Sequence, residues 1–356
     1  MKKKLLILLI LVLGTALAGC SEGNEAEENK NKNTNPEMIQ VYTTVYPLQY
    51  FTEAIGEDYV QVESIYPPGA DEHTFEPSQK DMIKMADSDL FIYIGLGLEG
   101  FVEKAKNTLK NEQVAMLAAG EHIQFDDTEE AAGDEHSEDE HAQGEDEHAE
   151  DEHAHGEDEH AEDEHAHGED EPAEDEHGHH HGDTDPHVWL DPLYSKQLAE
   201  AIKDQLIEMV PSQRNRFEQN FQELAKQLDE LHADFDQTIK NARHHEVIVA
   251  HSAYGYWEER YGMKQLSISG LSTTNEPSQK ELQTLISHGK EEGLKYVLFE
   301  QNFESRLAET VQKELGADAL YLHNLSVLTN DDIANEETYF TLMQKNLETL
   351  DTALNK

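Results

Sequence analysis

Cysteine is almost absent from this chain: among 356 residues there is one, Cys20. A lone thiol excludes an intramolecular disulfide framework and any thiolate-rich metal site, so a metal held here must be held by histidine and carboxylates. Basic residues are scarce, with 26 Lys and Arg against 76 Asp and Glu and a formal net charge of −50. That balance argues against nucleic acid as a partner, because neutralising phosphates takes Lys and Arg. Long apolar runs are missing as well. Residues 5–13 form an unbroken apolar run of nine, against the roughly 20 needed to cross a bilayer. No His-Glu-x-x-His pattern of a zinc protease occurs anywhere.

What the first residues do contain is an address. Lys2, Lys3 and Lys4 precede the apolar run, and small residues lead to Leu17-Ala18-Gly19-Cys20. The pattern predicts a signal peptide over residues 1–19 and a cysteine that is lipidated and becomes the new N-terminus. The expected location is extracytoplasmic, with the protein held to the bacterial cell membrane through Cys20. Residues 20–36 are mostly Glu, Asn, Lys and Gly, the composition of a disordered tether.

The acidity is unevenly placed. Residues 126–183 hold 28 of the acids and no base, leaving 48 acids against 26 bases, a net of −22, elsewhere. The segment 126–184 consists of imperfect Glu-Asp-Glu-His-Ala repeats with no large aliphatic residue beyond position 128. It cannot bury enough apolar area to offset its ordering entropy and should be a disordered insert. Twelve of the 21 histidines lie in it: His136, His141, His148, His153, His155, His160, His165, His167, His177, His179, His180 and His181. Imidazoles and carboxylates without a fixed cage predict an arm that collects metal at several weak sites.

The remainder alternates strand and helix signals. Strands are expected at residues 40–45, 59–65, 90–94, 247–250, 265–268 and 296–299, and helices at 47–56, 77–86, 253–261, 277–292 and 305–315. Such alternation implies an α/β fold with a largely parallel sheet. Glu76-Pro77-Ser78-Gln79-Lys80 recurs as Glu276-Pro277-Ser278-Gln279-Lys280, each copy opening a helix before an apolar strand. The expected architecture is two similar lobes, each a mostly parallel sheet flanked by helices. The N-terminal lobe takes 37–125 and 185–211, and the C-terminal lobe 243–356. Between them Phe217, Phe221, Leu224, Leu228, Leu231 and Phe235 make one apolar stripe. The stripe predicts a long rigid helix over 212–242, about 45 Å in length, joining the lobes.

Three of the nine histidines outside the insert stand at strand–helix junctions, where open α/β sheets place ligands. They are His73 in a Pro-Pro-Gly turn region, His187 in Asp185-Pro186-His187-Val188-Trp189-Leu190-Asp191-Pro192, and His251 after an apolar strand. With the Glu72-His73 loop ending in Phe75-Glu76-Pro77-Ser78, and with His251-Ser252-Ala253-Tyr254-Gly255-Tyr256 and Gly270-Leu271-Ser272, the chain resembles the zinc-uptake solute-binding lipoproteins of ABC transporters, the ZnuA/AdcA type. The resemblance runs from about residue 40 to 354. It implies one tightly bound Zn²⁺ in the interlobe cleft, held by His73 and His187 from one lobe and His251 from the other. It also implies an ABC-importer permease as partner for a monomeric, non-enzymatic carrier. Three imidazoles and one oxygen suit tetrahedral zinc. Many relatives supply that oxygen from an acid near the C-terminus, where this chain has Ser326. The fourth position is open to Glu300, Glu72, His323 or water. Competing readings are a zinc-buffering or adhesive surface lipoprotein and, further off, a zinc hydrolase.

Overall fold

The structure is a computed structural model that describes residues 38–125, 184–275, 277–302 and 305–356. The expected signal peptide, Cys20, the tether and the twelve-histidine insert lie outside the described residues.

The first half runs β1 (Ile39–Thr43), α1 (Tyr46–Gly56), β2 (Val60–Ser64), α2 (Gln79–Ala86), β3 (Leu90–Tyr93), α3 (Val102–Leu109) and β4 (Ala115–Ala118). Its four strands are all parallel, in the order β2-β1-β3-β4. Two helices follow, α4 (Pro192–Met209) and α5 (Arg214–Lys240). The second half repeats the first: β5 (Glu246–His251), α6 (Gly255–Tyr261), β6 (Lys264–Ser269), α7 (Gln279–Glu292), β7 (Tyr296–Phe299), α8 (Arg306–Leu315) and β8 (Asp318–Tyr321). Its order, β6-β5-β7-β8, is the same topology, again wholly parallel. Short α9 (Asn330–Ala334) and long α10 (Tyr339–Asn355) close the chain. The five-residue repeat has a structural counterpart. Ser78 and Ser278 each cap the helix that follows, in reciprocal bonds with Asp81 and Glu281.

The striped segment is the 27-residue α5, about 40 Å long. One end packs on the first lobe, where Phe217 meets Tyr59 edge-on and Asn220 bonds the Ile55 carbonyl. The other end packs on α6, where Phe235 contacts Trp257 and Tyr261. Phe221 is only half-buried, under the Lys203 ammonium at 4.8 Å. The C-terminal helix α10 also bridges, since Tyr339 at its start packs on Phe51 of α1 and donates to the Trp189 carbonyl.

One apolar core runs through both lobes, and a smaller one lies between the second sheet and α7 and α8. The only two tryptophans are fully buried at the lobe junction. Each donates its indole N–H across it, Trp189 to the Asn324 carbonyl and Trp257 to the Leu190 carbonyl, both at 2.7 Å. Asp191 adds an ion pair. Its carboxylate caps α4, accepting from Leu193 and Tyr194 N–H, and binds Arg260 of α6. Burial pushes the Asp191 carboxyl up, and Arg260 opposes the shift. Asp191→Ala removes a helix cap and leaves the guanidinium without this partner at a largely dry interface, so we expect a loss of about 3 kcal/mol. Urea unfolding measures it; a loss under about 1 kcal/mol would mean the pair contributes no more than an exposed one.

Candidate metal centre

His73 follows β2 and His251 ends β5, both parallel strands, while His187 precedes α4, and ring contacts bring the three together. His73 lies in the loop after β2, where its backbone N–H donates to Asp71 Oδ1 at 2.9 Å. His187 stands two residues after Asp185 in an Asx turn: Asp185 Oδ1 accepts from the His187 backbone N–H at 2.9 Å and lies 2.7 Å from its Nδ1. His251 is the last residue of β5, with Nδ1 3.1 Å from Glu300 Oε1, just past the neighbouring strand β7. His187 and His251 are fully buried and His73 half-buried.

The three rings converge edge to face. Their centroids are 5.3 Å apart for His73 and His187, 5.2 Å for His73 and His251, and 4.9 Å for His187 and His251. One nitrogen from each lies within 4.8 Å of the others, and among the described residues this is the cluster able to hold a metal ion. The Nε2 atoms of His73 and His187 are 3.3 Å apart. That matches the edge of a tetrahedron whose centre-to-nitrogen bonds are about 2.0–2.1 Å, the zinc–imidazole length. Carboxylates on Nδ1 of His187 and His251 fix which nitrogen faces the cluster, the arrangement that orients metal-bound histidines.

Electrostatics distinguish the rings. Burial, then the neighbouring His187 and His251, push the His73 pKa down to about 3. Burial would lower that of His251 too. The Glu300 charge and hydrogen bond, with the Leu271 carbonyl, outweigh it and raise the value to about 9. His251 Nε2 lies 3.1 Å from the Leu271 oxygen, so a doubly protonated ring is bonded on both sides.

The three candidates for a fourth position are placed differently. Glu300 is bonded to His251 through Oε1, and its Oε2 accepts from Asn324 Nδ2 at 2.9 Å. Glu72, 2 % exposed, accepts from Asn324 Nδ2 at 3.1 Å and from Ser326 Oγ at 2.8 Å. Burial and the Glu300 charge raise its pKa. The serine in the place of the expected acid therefore serves as a donor to an acid from the other lobe. His323 is not part of the cluster. Its Nδ1 accepts from Leu325 N–H at 2.9 Å and its Nε2 faces Asp332 at 3.2 Å.

Sequence reasoning missed several contributors. Asp185 was in plain view as Asp-Pro-His, an Asx-turn signal. Gly255 gives it room, since a Cβ there would come within 2.8 Å of Asp185 Oδ2. Thr273 donates to Asp71 at 2.8 Å across the cleft, and Asn302 to the Ala70 carbonyl at 3.1 Å. The two ends of the insert meet one side chain: Phe125 stacks on Tyr256, whose hydroxyl donates to the Asp185 carbonyl at 2.5 Å.

Known proteins resemble this chain over most of its length. A family model described as zinc-uptake complex component A, periplasmic, matches residues 41–353. The zinc-binding protein AdcA of Streptococcus pyogenes is 32% identical over 320 residues, which are 88% of this chain and 55% of that protein. The chain thus spans about half the length of that relative. The high-affinity zinc uptake system protein ZnuA of Bacillus subtilis is 29% identical over 338 residues, covering 95% of this chain and 93% of that one. A crystal structure of the Zn(II)-bound ZnuA-like domain of Streptococcus pneumoniae AdcA aligns with a TM-score of 0.66 at 28% identity, over 90% of this chain and 100% of that domain.

Proposed function

Because this chain belongs to the zinc-uptake complex component A family, we propose that it captures Zn²⁺ outside the cytoplasm and delivers it to an ABC-importer permease. The observation that carries the reading is the pair of imidazole nitrogens 3.3 Å apart with a third within 4.8 Å. In this reading His73, His187 and His251 bind the ion through the nitrogens that face one another. An all-imidazole set suits zinc, whereas harder ions such as manganese favour carboxylate oxygens. Both nearby carboxylates accept hydrogen bonds on each oxygen; in this reading water takes the fourth position.

The same engagement speaks for carriage over hydrolysis. A zinc hydrolase needs a carboxylate or imidazole within reach of a metal-bound water and free to take its proton. Glu300 and Glu72 are instead tied to His251, Asn324 and Ser326, a supporting role that suits a site built to hold the ion. The reciprocal tryptophan bonds and the α5 strut favour small adjustments of the lobes over wide hinge opening. Lipid attachment at Cys20 and metal collection by the insert histidines complete the proposal.

The test is growth. A strain lacking the gene should fail in zinc-depleted medium and recover with added zinc or the wild-type gene, but not with a gene carrying His251→Ala. Normal growth and zinc content of the deletion strain under depletion would refute the uptake role.

A further inference from the structure

The segments bearing the three histidines converge on a residue that touches none of the rings. Asn324 follows β8 and is 1 % exposed. Its Nδ2 donates to Glu72 Oε1 at 3.1 Å and to Glu300 Oε2 at 2.9 Å. Glu72 is covalently next to His73, and Glu300 holds His251 Nδ1. The Asn324 carbonyl accepts from Trp189, two residues beyond His187. One residue is thereby bonded beside His73 and His187 in the chain and, through Glu300, to His251, from both lobes.

We propose that Asn324 is the positioning residue of this centre, its amide bridging one carboxylate from each lobe so that the three imidazoles are held in register for the ion. The proposal rests on the zinc reading above. Two buried carboxylates converging on one point repel, and an amide nitrogen with two hydrogens can satisfy both at once. The other side of the amide is equally fixed. Its Oδ1 accepts from Ser326 N–H at 3.1 Å and from Gln301 Nε2 at 3.3 Å, so it cannot flip without losing four bonds. The backbone is strained to achieve this: Leu325, the next residue, has a φ of +59°, in the left-handed region that non-glycine residues rarely adopt. Such strain persists where surrounding contacts over-determine a conformation.

Asn324→Asp separates positioning from charge. The substitution keeps the shape and the acceptor but removes both donors and adds a negative charge. If residue 324 acted only through the field in the cleft, aspartate would tighten cation binding. If it positions, aspartate repels Glu72 and Glu300, and binding loosens. We expect zinc affinity to fall about 10- to 100-fold, dissociation into a chelator to speed up, and the visible d–d absorption of the Co²⁺-loaded full-length protein to change. Asn324→Ser, which keeps one donor and adds no charge, should fall between wild type and aspartate. It carries the test if the aspartate variant does not fold. Affinity unchanged or tightened, or a Co²⁺ spectrum identical to wild type, would overturn the proposal. Failure of the wild-type protein itself to bind zinc tightly would instead remove the zinc reading.

Discussion

Alanine in place of His73, His187 or His251 is expected to cut zinc affinity by about a hundred- to a thousand-fold in each case. The figure follows from the scale of built zinc sites, about 10–16 kcal/mol in all. Shared among three nitrogens and an oxygen, that is about 2.5–4 kcal/mol per ligand, and each 1.4 kcal/mol is about tenfold. At high pH the three losses should be alike, because the rings stand at similar mutual distances, with centroids 4.9–5.3 Å apart, whereas near neutral pH the loss at His251 is the smallest, because its ring must first give up a proton. They should not be additive. Removing one ring leaves a pair that no longer encloses the ion, so a second substitution costs less than the first. Competition titration against a chelator of known affinity measures all of this. A variant that keeps wild-type affinity would remove its histidine from the ligand set.

The second large effect is on protons. In the zinc-free protein His251 has a pKa raised to about 9, so at neutral pH its ring carries both protons, one toward Glu300 and one toward Leu271. Zinc can take Nε2 only by displacing the second. The sign follows directly. Below about pH 9 protons compete with zinc, so apparent affinity rises about tenfold per pH unit well below that value and about fiftyfold from pH 7 to 9. His73, with its pKa near 3, is neutral throughout this range and adds nothing to the slope. Calorimetry at pH 8 in buffers of differing ionisation enthalpy should find about 0.9 proton released per zinc. Three imidazoles with the ordinary value of about 6.5 would together release only about 0.1. A release near that lower figure would show that Glu300 does not hold a proton on His251. Glu300→Gln should flatten the slope, because the facing negative charge is gone.

The three histidines were legible because each sits in a local motif: a Pro-Pro-Gly turn, an Asp-Pro-His turn, and the end of an apolar strand. The sheets were legible for a related reason. Buried parallel strands read as apolar runs, as in Leu90–Tyr93, which is buried at every position. What escaped was one edge strand of each sheet. β4 is Ala-Met-Leu-Ala and β8 is Asp-Ala-Leu-Tyr, four residues each, at the sheet margin and largely unburied. Neither composition nor period marks them. The polar scaffold of the site escaped for a stronger reason. Asn324 and Glu72 are 252 residues apart in the chain, and Ser326 and Glu72 254. No spacing rule reaches across such a distance. Ser326 was noticed only as the wrong residue for a ligand, whereas the structure uses it as a hydroxyl donor to a buried acid.

The junction at Tyr256 has a practical consequence. Phe125 and Asp185 close on the same phenol, one against its ring and one at its hydroxyl, so these two flanks stand together on the body of the protein. Insertions are tolerated where the two flanks already stand together. A fluorescent domain or an affinity handle can be grafted there without stretching either flank. Its attachment point would be Asp185, the residue whose carboxylate holds His187, so a reporter there would stand two residues from one of the three clustered rings.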